Sequence, residues 1–166
     1  LGLDLQGGSY LLLEIDNEPV IEQKLQNLTT TIRNYFKEKN IKVNNIKIDN
    51  QNIFFNVADL DKQAVIDVFQ DENSDLNPYY PRFKSHQLDI EDTGINLKLS
   101  FSRQGVINLK TSSQDQAIEI VRRRVDEVGT NEPNILKRGN DRILVELPGL
   151  DDPERIKSLL GKTANL

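Results

Sequence analysis

Two short polar turns, Asp49-Asn50-Gln51-Asn52 and Arg138-Gly139-Asn140-Asp141, with Asn50 and Asn140 90 residues apart, each lie between runs of alternating apolar residues. Alternate side chains of a strand share one face, so each stretch reads as a β-hairpin. The surroundings of the two hairpins are also alike. Ahead of the first comes "SYLLLEI" (9–15), a strand with Leu11, Leu13 and Ile15 on one face. A long amphipathic helix follows, entered through Pro19, with Ile21, Leu25, Leu28, Ile32 and Tyr35/Phe36 at three-to-four spacing. Behind the hairpin stands a short helix, 61–70, with Asp61 as its expected cap. Residues 71–81 read as loop and 82–90 as a further strand.

The second hairpin repeats this order. Ile95, Leu97, Leu99 and Phe101 share one face of a strand. Ser113 and Gln116 are spaced as a capping box for a helix striped by Ala117, Val121, Val125 and Val128 and stopped at Gly129. A short helix opens at Asp152-Pro153, and Thr163, Ala164, Asn165 and Leu166 begin a last strand. The short-helix caps Asp61 and Asp152 are 91 residues apart, close to the hairpin offset. Strand, long helix, hairpin, short helix, strand is the β-α-β-β-α-β order of the ferredoxin-like unit. The spacing predicts an α+β fold: two tandem ferredoxin-like units whose antiparallel sheets pack against helices. The expected division is 1–94, a strap plus the first unit, and 95–166, a second unit cut short in its last strand. Charge changes near the same place: 1–94 holds 9 basic and 16 acidic residues, 95–166 holds 12 and 10.

The formal charge of −5 weighs against a duplex nucleic-acid binder, which needs a basic face. No cysteine is present, which removes disulfides, thiolate metal ligands and thiol nucleophiles. No apolar stretch approaches the roughly 18 residues of a membrane span. The chain lacks an initiator Met and reads as a fragment of a longer polypeptide.

Individual residues offer little chemistry. Gly7-Gly8 precedes a strand, whereas a phosphate cradle has its glycines between strand and helix, so a turn is the better account. His86 is the single histidine and cannot build a metal pair or a triad. Asp151-Asp152 stands before Pro153, as a helix cap would. Arg122-Arg123-Arg124 is interleaved with Glu119 and Asp126, as on a solvated, salt-bridged helix face. No enzyme active site, metal site or cofactor site is visible.

Three stretches carry a family likeness: "LGLDLQGGSYLLLE", "RRRVDEVGTNEPNILKRGNDRILVELPG" and "DPERIKSLLGKTANL". Together they resemble the SecD family of bacterial protein-export membrane proteins, in the same order along the chain. The resemblance makes Gly2, Asp4, Gly7 and Gly8 part of a membrane-proximal strap at the start of the first periplasmic domain. It makes Gly129, Glu132, Pro133, Gly139, Asp141, Arg142, Glu146, Pro148 and Gly149 a second motif of structural character, with Arg142 and Glu146 as partners on the hairpin face. It also implies a place in the bacterial inner membrane facing the periplasm. SecF, the SecYEG channel and unfolded preproteins are the implied partners, in export driven by the proton gradient. An extended chain can add to a free sheet edge through backbone hydrogen bonds, which tolerate any sequence. The edges expected to do so are the strand of Ile95, Leu97, Leu99 and Phe101 and the cut strand of Thr163, Ala164, Asn165 and Leu166. A ferredoxin-like small-ligand regulatory module and a passive docking scaffold are the competing readings.

Overall fold

The computed structural model describes the backbone of residues 2–6, 10–127, 132–148 and 153–161, and side chains outside 2–6, 153, 155, 156 and 159. In chain order the elements are β1 (Gly2–Gln6), β2 (Tyr10–Glu14), α1 (Glu18–Glu38), β3 (Asn44–Asp49) and β4 (Asn52–Asn56). Then come α2 (Lys62–Gln70), β5 (Tyr79–Tyr80), β6 (Ser85–His86), β7 (Leu88–Asp92) and β8 (Leu97–Phe101). The chain continues through α3 (Arg103–Glu127), β9 (Asn134–Arg138), β10 (Arg142–Glu146) and α4 (Pro153–Gly161). Two antiparallel four-stranded sheets form, in the orders β1-β2-β10-β9 and β3-β4-β8-β7.

The fold is α+β, and both sheets fit the ferredoxin-like order. With β2, α3, β9, β10 and α4 as strand, helix, hairpin and helix, β2 stands centrally beside β10, and β1 fills the fourth place. In the other sheet the central place beside β4 belongs to β8, which follows its neighbour β7 in the chain.

The units are therefore not the expected tandem halves. One compact unit comprises Leu1–Asn17 with Leu109–Leu166, and the other Glu18–Asn108. We call them the terminal and the central unit. Relative to the expected division at Gly94, β2 and β8 have exchanged sheets. Both strands carry the same inward pair, Leu11/Leu13 and Leu97/Leu99, so local pattern suits either sheet. Partner choice is made by cross-strand packing. Ile143 lies opposite Leu13 and Val145 opposite Leu11, while Ile53 lies opposite Leu99 and Phe55 opposite Leu97, all buried.

Each sheet covers its own core. In the central unit Leu25, Leu28, Ile32 and Phe36 of α1 pack with Val65 and Phe69 of α2 on the inward residues of β4 and β8. Phe36, Phe69 and Phe55 form a chain of tilted rings, with centroids 6.0 and 6.4 Å apart. In the terminal unit the expected stripe Ala117, Val121 and Val125 packs with Leu160 on Leu11, Leu13, Ile143 and Val145. Val128 and Gly129 lie outside the described residues.

Several local expectations are corrected. The helix expected at Ser113 begins ten residues earlier, at Arg103, so Ser113 and Gln116 sit within it and form no capping box. Its cap is Ser102, whose Oγ accepts from the Gly105 N–H at 2.9 Å and donates to the His86 carbonyl oxygen. Asp61 occupies the cap position of α2 but makes no side-chain cap hydrogen bond. The strand expected over 82–90 loses its first residues to a 3₁₀ turn, Pro81–Phe83, and the remainder is divided at Gln87 into β6 and β7. Asn77, fully buried, organises this stretch. Its Nδ2 donates to the Phe69 and Leu88 carbonyl oxygens at 2.7 and 2.9 Å, and its Oδ1 accepts from the Leu88 N–H at 2.9 Å.

Candidate polypeptide-binding edge

β9 is the outermost strand of the terminal unit's sheet. It pairs with β10 over five residues in unbroken register, from Asn134 opposite Glu146 to Arg138 opposite Arg142. Among the described residues no strand lies on its other side, so alternate N–H and C=O groups face outward there. Ile135 turns into the core, while Asn134, Leu136 and Arg138 are exposed.

The outward face of this sheet is unusually apolar. Leu136, Leu144 and Leu12 form one register row across β9, β10 and β2. Leu136 is 46% exposed, and Leu144 and Leu12 are half-buried. Tyr10, 41% exposed, stands opposite Glu146 in the adjoining row. An antiparallel sheet with one solvated face normally alternates apolar-in and polar-out; here aliphatic side chains occupy both faces at the row's centre. Charged residues flank it, with Arg142 opposite Glu14 on one side and Glu146 on the other.

The hairpin carrying this edge is fixed to its helix. Gln114, 2% exposed on α3, donates Nε2 to the carbonyl oxygens of Gly139 at 3.2 Å and Arg142 at 2.8 Å. The Ile15 N–H donates to the Asp141 carbonyl oxygen at 2.7 Å. Lys137 Nζ meets Asp115 Oδ1 at 2.5 Å, both half-exposed, so the pair is worth at most about 1 kcal/mol. Gly139 adopts φ +59°, the left-handed conformation glycine enters without strain.

Two of the other edges, β3 and β7, are less open to pairing. β3 is bulged between Asn44 and Lys47, with Asn45 at φ +53°. β7 carries Asp89, Glu91 and Asp92 among its five residues. β1 is the outer neighbour of β2, and its side chains lie outside the described set.

The residues singled out in the sequence divide accordingly. Ile95, Leu97, Leu99 and Phe101 do not form an edge: β8 is bounded by β4 and β7, and Ile95 precedes it, 83% exposed. Thr163, Ala164, Asn165, Leu166, Gly7, Gly8, Gly129 and Gly149 lie outside the described residues. Gly2 and Asp4 belong to β1. Glu132, exposed at φ +32°, and Pro133 lead into β9, and Pro148 leaves β10 by way of Leu147. Arg142 and Glu146 are not partners. Arg142 Nε lies 3.8 Å from Asp141 Oδ1, and Glu146 Oε2 accepts from Asn134 Nδ2 at 3.3 Å. Among the described residues the ion pair formed within the arginine run is Arg124–Glu127, at 3.6 Å, and not the expected pairs. Among the described residues no three His, Asp or Glu side chains are grouped to hold a metal ion, and no helix is long and apolar enough to cross a membrane.

The family described as Protein translocase subunit SecDF, P1 domain, N-terminal, matches residues 114–166, which include α4 and the β9–β10 hairpin with the glutamine that anchors it. Protein translocase subunit SecD of Rickettsia bellii is 36% identical over 166 residues, covering this whole chain and 30% of that protein. The chain belongs to the SecD family. SecD of Acetobacter pasteurianus is 36% identical over 170 residues, and SecD of Calditerrivibrio nitroreducens 33% over 171. Both alignments cover the whole of this SecD-family chain and 31% of the relative, so the chain spans about three tenths of the proteins it matches. No solved structure matches it.

Proposed function

We propose that this SecD-family chain is a periplasmic part of the export machinery that holds an unfolded preprotein by adding it as a strand to β9. In this reading the whole protein sits in the bacterial inner membrane, beside SecF and the SecYEG channel, and assists export driven by the proton gradient. The domain itself performs no catalysis. The observation that carries the reading is the regular edge of β9, unpaired among the described residues, with Leu136 exposed and Leu144 half-buried beside it. Backbone pairing supplies affinity independent of sequence, and the aliphatic row rewards the apolar side chains that a folded cargo would conceal. The test is fluorescence anisotropy of a labelled secretory precursor, unfolded and folded, titrated with the chain. Binding of the unfolded form alone supports the reading. Binding of neither form rejects it in favour of a scaffold that positions other parts of the protein.

A further inference from the structure

The central unit carries a second surface, independent of β9. The C-terminal turns of α1 and the segment leading into β3 enclose an open groove of about 390 Å³, lined by Arg33, Lys37, Asn40, Ile41, Lys42 and Val43. Arg33 and Lys37 are one helical turn apart on α1. None of the groove's three cations is ion-paired among the described residues. From Arg33 to Lys47 there are five basic residues and one acidic, in a chain of net charge −5. The C-terminal dipole of a helix is complemented by one cation in its last turn, here Lys37. Arg33 and Lys42 exceed that requirement. Ile41 and Val43, both half-buried, supply an apolar floor.

We propose that this groove binds an acidic, extended polypeptide segment, its carboxylates on Arg33, Lys37 and Lys42 and an apolar side chain on Ile41 and Val43. Charge complementarity selects the partner's sign. Shape selects its class. The apolar residues form a recessed floor, which a flat bilayer surface does not reach. The groove is also too open to enclose most of a small molecule, as ligand pockets do. A single extended strand is the class that remains, its apolar side chain directed at Ile41 and Val43 and its carboxylates at the cations.

The test is fluorescence anisotropy of the whole chain with a short labelled peptide of glutamates and leucines. Parallel titrations use the same peptide with glutamines for glutamates, the same with serines for leucines, and vesicles of phosphatidylglycerol in phosphatidylcholine. The expected result is saturable binding of the glutamate–leucine peptide that falls with added salt. Arg33→Glu combined with Lys42→Glu weakens it about tenfold or more. These side chains are exposed, so the fold survives, which circular dichroism checks; Arg33→Gln with Lys42→Gln is the milder second variant. Equal affinity for the glutamine or serine peptide would overturn the proposal. So would binding unaffected by either double variant, absence of peptide binding, or binding of vesicles in place of peptide.

Discussion

Gln114 and Arg142, 28 residues apart, are joined by a hydrogen bond of 2.8 Å from the glutamine amide to the arginine's carbonyl oxygen. The same amide reaches Gly139, so one buried side chain fastens both ends of the β9–β10 turn to α3. Removing it takes this amide from both carbonyl groups. Gln114→Ala is expected to lower stability by about 1–3 kcal/mol in urea unfolding. A loss below about 0.5 kcal/mol would show that water replaces the glutamine without cost.

Asn77 plays a comparable part in the central unit, joining the end of α2 to β7 by three hydrogen bonds with no exposure to solvent. Asn77→Leu keeps the approximate volume but strands one N–H and two carbonyls. The expected loss is about 2–4 kcal/mol, and Asn77→Asp, which cannot donate to the two carbonyls, is expected to fall in the same range. Thermal unfolding that leaves either variant within a degree or so of the parent would contradict this account.

Gly105 is required by space. A Cβ at this position would run into the Gln87 carbonyl oxygen, with the carbonyl carbon at 3.1 Å and Ser102 Oγ at 3.2 Å. Because the obstacle is backbone, it cannot swing aside. Gly105→Ala is expected to destabilise the chain by about 1–3 kcal/mol, although alanine is the better helix former by roughly 1 kcal/mol. Equal or greater stability in chemical unfolding would mean that the close approach is not there.

Proline separates the edge of β9 from its ladder. Of two neighbouring residues in an antiparallel strand, one N–H faces the partner strand and the other faces away. Leu136→Pro and Lys137→Pro should therefore differ, one unfolding the hairpin and one leaving it paired. The variant that keeps its melting temperature is expected to lose binding of unfolded precursor. Full binding by that variant would exclude strand addition at this edge.

Most of the elements were legible in the sequence, because alternation and three-to-four spacing report which face of each is buried; β1 and β5 were not, since the first was read as a strap and the second as loop. Asn50 and Gly139 take the positive φ that their residue types invite, and Gln51 follows Asn50 into it without such a preference. Sheet membership was not legible. Leu11/Leu13 and Leu97/Leu99 present the same local pattern, and which of them meets Ile143/Val145 is a matter of long-range packing. The start of α3 was hidden for a related reason. Ser102 looks no more like a cap than Ser113, until the close approach of Gly105 to Gln87 fixes the helix there. The edge strand followed from sheet order, so placing it on Ile95–Phe101 failed with the sheet assignment. Gln114 and Asn77 bond to backbone groups distant in sequence, a role that residue type alone does not signal.

The most direct test of strand addition at β9 is hydrogen–deuterium exchange of the chain, alone and saturated with an unfolded precursor. The account predicts new protection of amides within Asn134–Arg138, since those facing the open edge would gain partners, with little change in the interior strands β4 and β8. Protection absent from β9, or confined to residues outside the terminal unit, would contradict it.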